Sequence, residues 1–312
     1  MTDRLHRRSL LAGMAALPFL GAAASAQGAG RAVQHGQGST SIPARPGRVA
    51  VFDVAALDIL AALEVTEPVV GIANSNAWPA PIATFQDQRF TRLGTLFEPD
   101  YERVNAVRPE LIVTGGRSSA KYQELAKLAP AIDLFRDTAA PLDTTFRNTD
   151  LLAGIFGREA QAEALKQKVT DAAAALRAET ARRGRGLIVL TTGTRMSAYG
   201  AGSRFGVIHN DFGVPPAVEG LNTAIHGQSV NNEFILQTNP DWLFVVDRDA
   251  AIERGADAAR KALDNPLVRQ TRAWKDGQVV YLEPASWYLT NGGIRTAQMM
   301  VEEIAAAYAS KG

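Results

Sequence analysis

A pattern that occurs twice constrains this chain more than any other feature. Glu102, Val104, Pro109, Glu110, the apolar run Leu111-Ile112-Val113 and Arg117 form the first copy. Glu233, Ile235, Pro240, Asp241, the run Trp242-Leu243-Phe244-Val245-Val246 and Arg248 form the second. The shared Glu, Pro and Arg are each 131 positions apart. Each copy reads as a short helix, a Pro-acid turn, a buried strand and a loop. Proline ends the helix because it lacks an N–H and disfavours helical geometry in the residue before it. In open α/β sheets, ligands bind beyond the carboxyl ends of the strands. Two α/β halves that each aim an arginine from a strand end therefore predict two lobes facing one cleft. Any two α/β units share a helix-turn-strand texture, but texture alone does not repeat Glu, Pro and Arg at one offset.

The surroundings of each copy fit this division. Val49-Ala50-Val51-Phe52 predicts a buried strand, Asp53 to Leu63 a helix and Val69 to Ala73 a second strand. Lys121 to Leu128 follows as a helix and Ala131–Leu134 as a short strand, an alternation that predicts a largely parallel sheet. Residues 49–157 are thus expected as an N-terminal α/β lobe. Arg158 to Arg183 holds no Pro or Gly, and Leu165, Val169, Ala172 and Leu176 share one helical face. A helix over 158–183 spans about 39 Å at ~1.5 Å per residue and joins the halves more stiffly than a Gly/Ser linker. Residues 184–312 are expected as the C-terminal lobe. Its strands are predicted at Leu187–Thr191 and Val279–Leu282, and a closing amphipathic helix carries Ile294, Ala297, Val301, Ile304 and Tyr308. Residues 213–232, rich in Pro, Gly and Asn and containing His226, read as a loop over a site.

The first 26 residues read as a targeting segment. Arg4, Arg7 and Arg8 precede a short apolar stretch from Leu10 to Ala24, and Ala24-Ser25-Ala26 is an A-x-A cleavage site. Arg7-Arg8-Ser9-Leu10-Leu11 resembles the twin-arginine export motif. Residues 1–26 are expected as a signal peptide and 27–48 as a leader of Gly, Ser, Pro and Arg, which places the mature protein in a bacterial periplasm. Without residues 1–26, which hold three Arg and one Asp, the chain has 30 basic and 31 acidic residues. A near-neutral balance gives no electrostatic case for a nucleic-acid partner. Cysteine is absent, which excludes disulfides, thiol catalysis and attachment through a lipidated N-terminal Cys.

Enzyme signatures are lacking. There is no Walker loop, no H-E-x-x-H and no G-x-S-x-G. Gly200-Ala201-Gly202-Ser203-Arg204-Phe205-Gly206 has one residue too many for a dinucleotide loop. Past residue 26 the histidines are His35, His209 and His226, placed in leader, predicted helix and loop, so a three-histidine zinc site is not expected. Arg117, Arg204 and Arg248 each follow a predicted strand. If they converge they make an anion site, because guanidinium offers a fixed fork of donors and keeps its charge. Trp287-Tyr288-Leu289 lies in a Pro/Gly-bounded stretch, read as a loop. A tyrosinate is a hard anionic ligand suited to Fe(III).

These segments resemble, over nearly the whole chain past residue 26, the periplasmic ferric-siderophore-binding proteins of ABC importers. The likeness is narrowest to the enterochelin/petrobactin-type catecholate binders. It is carried by Val51-Phe52-Asp53, Ala56-Leu57-Asp58, Gly94-Thr95-Leu96-Phe97-Glu98-Pro99-Asp100 and Gly116-Arg117-Ser118 with Lys121-Tyr122. Further along, Ser197-Ala198-Tyr199-Gly200, Gly202–Gly206, His226-Gly227-Gln228-Ser229-Val230, Asp247-Arg248-Asp249-Ala250-Ala251, Asp264-Asn265-Pro266-Leu267-Val268 and Trp287-Tyr288-Leu289 carry it as well. The resemblance implies a class III periplasmic binding protein: two Rossmann-like α/β lobes joined by one long backbone helix. It implies that Arg117, Arg204 and Arg248 surround catecholate oxygens, with Lys121 also at the ligand. It implies that His226 and Tyr288 complete the iron of a tetradentate bis-catecholate. Glu102 and Glu233 match acids that dock, one per lobe, on the two subunits of an ABC permease. No intrinsic cofactor is implied; Fe(III) belongs to the bound siderophore, and the protein is expected to act as a monomer. Asn291 departs from a Gly-rich loop in the family.

Two other readings stand beside this one. Haem or a corrinoid on the same scaffold would also use His226 and Tyr288. An exported oxidoreductase would need the Gly200–Gly206 loop to hold a dinucleotide, against its spacing.

Overall fold

The N-terminal sheet is built on Val49–Val51 (β3), whose residues are all fully buried, as an apolar strand flanked on both sides must be. Ahead of it lie Arg31–His35 (β1) and Gly38–Ile42 (β2). Around it, Val69–Ile72 (β4), Thr91–Arg92 (β5), Leu111–Thr114 (β6) and Ala131–Asp133 (β7) run parallel in the order β5-β4-β3-β6-β7. This computed structural model describes residues 30–75, 77–222, 226–252, 255 and 258–310. The signal peptide expected over 1–26 lies outside them.

The second sheet has the order β10-β9-β8-β11-β12, with Gly186–Thr192 (β8), Arg195–Tyr199 (β9), Gln228–Val230 (β10), Trp242–Asp247 (β11) and Val279–Tyr281 (β12). Strands β8, β11 and β12 are parallel; β9 alone is reversed, pairing antiparallel with β8 on one side and with β10 on the other. The duplicated pattern is a duplicated position: β6 lies beside β3 as β11 lies beside β8. The equivalence extends to helix caps. Asp100 Oδ1 accepts from Arg103 N at 3.0 Å, and Asn231 Oδ1 accepts from Phe234 N at 2.9 Å. Each cap starts the short helix, Tyr101–Ala106 or Asn232–Thr238, that feeds its strand.

Helix Glu159–Thr180 joins the lobes, within the 158–183 span expected. It is not a lone rod. The last helix, Ile294–Ala309, packs along it and also against helices Val54–Ala62 and Pro141–Phe156. Val169, Ala173 and Leu176 meet Ile294, Ala297, Val301, Ile304 and Tyr308 in one core that includes strands of both lobes. The chain therefore crosses between lobes three times: along the long helix, between β12 and the last helix, and back along the last helix, which starts at Asp58 and ends with Tyr308 stacked on Trp242 of β11. A buried carboxylate locks the second crossing. Asp58 accepts from Arg295 N at 2.9 Å, Thr296 N at 2.8 Å and Thr296 Oγ1 at 2.6 Å. Gly293 is required beside it, since a Cβ there would collide with the Asp58 carboxyl group. Burial pushes the Asp58 carboxyl up to about 6, although the Thr296 and Arg295 donors pull it back.

Two expectations change. The leader expected over 27–48 contains a β-hairpin, β1 with β2, packed against β7. His35 organises it: its Nδ1 accepts from Gln37 N and Asp133 N, and Nε2 meets Thr40 Oγ1 at 2.9 Å. Helix Pro141–Phe156, with proline at its first turn and Gly157 closing it in the left-handed region, was not evident from periodicity. Among the described residues, no helix is long and apolar enough to cross a membrane.

Candidate ligand-binding cleft

Each arginine of interest stands on a turn that its neighbours hold closed. After β6, Gly115-Gly116-Arg117-Ser118 turns back on itself. Ser118 Oγ donates to Gly115 O at 3.0 Å and accepts from Gly115 N at 3.1 Å. After β9, Ser203 Oγ donates to Gly200 O at 2.6 Å, and Gly206 lies so near Ala201 O that no side chain fits. The Gly200–Gly206 stretch thus projects Arg204 into the cleft. Arg248 opens a short helix directly after β11. Asp247 caps that helix, accepting from Asp249 N, Ala250 N and Ala259 N at 3.0–3.1 Å. Ser118, Ser203 and Asp247 were visible in sequence only as neighbours of arginines; their anchoring is a tertiary fact.

The three arginines meet at Tyr288. Arg117 Nη2 and Arg204 Nη2 each donate to its carbonyl oxygen at 2.8 Å. Arg248 Nε donates to its phenol oxygen at 2.9 Å. The three guanidinium carbons lie 5.2, 4.6 and 5.7 Å from the ring centre, within cation–π range. Tyr288 ends a short helix, Pro284–Tyr288, where a loop was expected; Glu283 caps it by accepting from Ala285 N and Ser286 N. Neighbouring Trp287 is fully buried and donates Nε1 to Glu303 Oε2 at 2.6 Å.

Electrostatics follow from this crowding. Burial pushes the Tyr288 phenol up, but the Arg248 hydrogen bond and the charges of Arg117, Arg248 and Arg204 outweigh it and hold the phenol below its usual value. Burial, reinforced by the like charge of Arg117, brings Arg204 down to about 10, so it stays cationic at neutral pH. Asp53, at the first turn of helix Val54–Ala62, accepts from Ala56 N at 2.8 Å; burial raises its carboxyl, opposed by that bond and by Arg117.

Arg117, Arg204, Arg248, Tyr288 and His226 line one cavity of about 920 Å³ between the lobes. That volume is near the top of the ~300–1,000 Å³ range of small-molecule sites. The C-terminal lobe brings all of these except Arg117. His226 is exposed there, on the turn before β10. Asn291, the departure noted above, donates Nδ2 to Arg204 O at 2.8 Å and so steadies that loop. Phe97, 59% exposed, also lines the cavity, on a turn held by Thr95 Oγ1, which accepts from Phe97 N and Glu98 N. Lys121, expected at the ligand, does not line the cavity; its ammonium lies 3.9 Å from Glu98 Oε1. Glu102 and Glu233 are exposed, each the second residue of its short helix. His35 and His209 are buried and bonded elsewhere, His209 through Nδ1 to Val214 O at 2.8 Å. Among the described residues, no group of three or more His, Asp or Glu is arranged to hold a metal ion.

Two α/β sheets on a helical spine, with a cation-lined cavity between them, define a class III solute-binding protein. The chain belongs to the periplasmic binding protein family, whose model matches residues 49–285. It is a binding protein and not an enzyme, as its relatives are. It is 34% identical over 266 residues to the petrobactin-binding protein YclQ of Bacillus subtilis, covering 85% of this chain and 83% of that protein. The crystal structure of YclQ superposes with a TM-score of 0.85, at 33% identity, over 89% of this chain and 98% of that one. The ferric-anguibactin-binding protein FatB of Vibrio anguillarum is 31% identical over 284 residues, covering 89% and 87%. The periplasmic catecholate-siderophore binding protein VctP of Vibrio cholerae gives a TM-score of 0.83 at 29% identity, covering 89% and 99%.

Proposed function

We propose that this protein captures a ferric catecholate siderophore, of the tetradentate bis-catecholate kind, in the interlobe cavity and delivers it to an ABC permease for iron uptake. The convergence of Arg117, Arg204 and Arg248 on Tyr288 carries this reading. Fe(III) held by two dianionic catecholates keeps one negative charge and two open coordination positions. The guanidinium donors now resting on the Tyr288 carbonyl turn to the catecholate oxygens as charge-assisted hydrogen bonds. Tyr288, held below its usual pKa, supplies phenolate, and His226 on the same wall supplies imidazole. YclQ is named for petrobactin, FatB for ferric anguibactin and VctP for catecholate siderophores, which supports a siderophore as cargo. Export of a monomer to the periplasm through the twin-arginine route completes the proposal, with no nucleic acid as partner.

The test is titration with a ferric tetradentate bis-catecholate, followed by tryptophan fluorescence and the visible charge-transfer band. Trp287, adjacent to Tyr288, is the built-in reporter. Tight 1:1 quenching with a displaced band is expected; no quenching at micromolar ligand overturns the catecholate reading. Permease docking has its own test. Glu102 and Glu233 start equivalent helices, one on each lobe. Reversing both charges is expected to abolish uptake and leave ligand affinity intact; unaltered uptake refutes the docking role.

A further inference from the structure

The cavity carries more positive charge than the proposed cargo can match. Beyond the three arginines at Tyr288 it is lined by Arg136 from the N-terminal lobe and Arg195 from the C-terminal lobe. Both are exposed, and neither guanidinium has a hydrogen-bond, ion-pair or ring partner among the described residues. Two acids, Asp53 and Asp137, share the lining. Five guanidiniums against two carboxylates and the Tyr288 phenolate leave an excess of two charges, whereas a ferric bis-catecholate brings a single negative one.

The two extra arginines are held on built segments. Arg136 follows β7, where Asn148 brackets the preceding residue: its Oδ1 accepts from Phe135 N at 2.8 Å and its Nδ2 donates to Phe135 O at 3.0 Å. On the other side, Thr138 Oγ1 donates to Gly202 O at 2.9 Å, and Asn210 Nδ2 donates to Ala139 O at 3.0 Å, pinning the segment across the cleft to the loop of Arg204. Arg195 opens β9 after a turn whose Gly193 N donates to Asp249 Oδ2 at 2.6 Å, which ties it to the helix of Arg248. The unpartnered cations therefore line the same cavity as the triad, one from each lobe.

We infer that Arg136 and Arg195 form an outer anion-binding wall, and that the natural cargo is a ferric catecholate bearing at least one free carboxylate outside the iron's coordination sphere. This rests on the catecholate reading above. With Tyr288 and His226 completing the iron, the extra negative charge belongs on the siderophore's backbone and not on a third catecholate. A carboxylate is the anion whose planar pair of oxygens a guanidinium fork receives best.

The experiment compares two ferric probes of identical catechol groups, bis(2,3-dihydroxybenzoyl)lysine and its carboxamide. Both are titrated in about 0.5 M NaCl, where the screening length is only ~4 Å and contact outweighs long-range attraction. Wild type is expected to bind the acid roughly tenfold more tightly than the amide, the worth of one charge-assisted hydrogen bond on an accessible wall. The double variant Arg136→Ala/Arg195→Ala is expected to lose that preference while binding the amide as wild type does. Equal affinities in wild type overturn the inference, as does a preference that survives in the double variant. An equal loss for both probes also overturns it, since that signals general electrostatics. If neither probe binds wild type, the catecholate reading itself falls and takes this inference with it.

Discussion

Replacing Asp58 with asparagine isolates what the buried carboxylate does. Asp58 is fully buried, and its carboxyl is pushed to about 6 from 3.8. One pKa unit corresponds to ~1.36 kcal/mol, so this displacement is worth about 3 kcal/mol. Well below pH 3.8 the group is protonated in both folded and unfolded chains and brings no penalty. Between pH 4 and 6 the unfolded chain ionises it in water while the fold resists, so stability from this group is lost as pH rises through 6. Asparagine does not titrate. It does put an amide N–H₂ against the Arg295 and Thr296 donors, and one orphaned buried donor costs about 1–3 kcal/mol. Wild type should therefore exceed Asp58→Asn by roughly 1–3 kcal/mol at pH 4, and the gap should close or reverse by pH 7. Urea melts of both proteins at half-unit steps from pH 4 to 7 read this directly, because other titrating groups cancel in the difference. A gap that stays constant across that range refutes the raised carboxyl.

Three further outcomes concern the cleft. Arg248→Ala removes both a hydrogen bond and a charge from Tyr288, so tyrosinate absorbance should appear at higher pH than in wild type; an unmoved titration means the arginines do not set that phenol. His226→Ala and Tyr288→Phe should each weaken a ferric bis-catecholate tenfold or more, about 1.4 kcal/mol, yet barely affect a hexadentate tris-catecholate. Equal losses on the two ligands would sink direct ligation. Phe97→Ala takes an exposed ring from the cavity's rim, and ferric bis-catecholate affinity should fall roughly three- to tenfold, the range of one aromatic contact.

The two-lobed plan was legible because the repeat is a local pattern with a global consequence. Glu, Pro and Arg recur because β6 and β11 hold the same place in their sheets. The arginine triad was legible for the same reason, with Arg204 found through its glycine-rich loop. What escaped depends on distant partners. β2, Gly-Ser-Thr-Ser-Ile, has too little apolar alternation to announce a strand, and its hairpin is fastened through His35 to Asp133, nearly a hundred residues on. Helix Pro141–Phe156 carries three Thr, two Asp and an Asn, poor helix formers that tertiary packing overrides. Asp58 sits among Ala and Leu, and nothing in those neighbours records that the Ile294–Ala309 helix returns to it. Lys121 lay beside family-like residues, yet its stem points to Glu98, a choice of rotamer that no spacing records.

Because the polypeptide crosses between lobes three times, it has mechanical properties that a single hinge lacks. One crossing leaves a lobe free to swing in any direction; two helices packed side by side and a third connection beside them resist a wide swing. Tyr288 lies on the second crossing itself, between β12 and the last helix. Its carbonyl is also where Arg117 arrives from the opposite lobe, so any shift of one lobe against the other is felt first at that hydrogen bond.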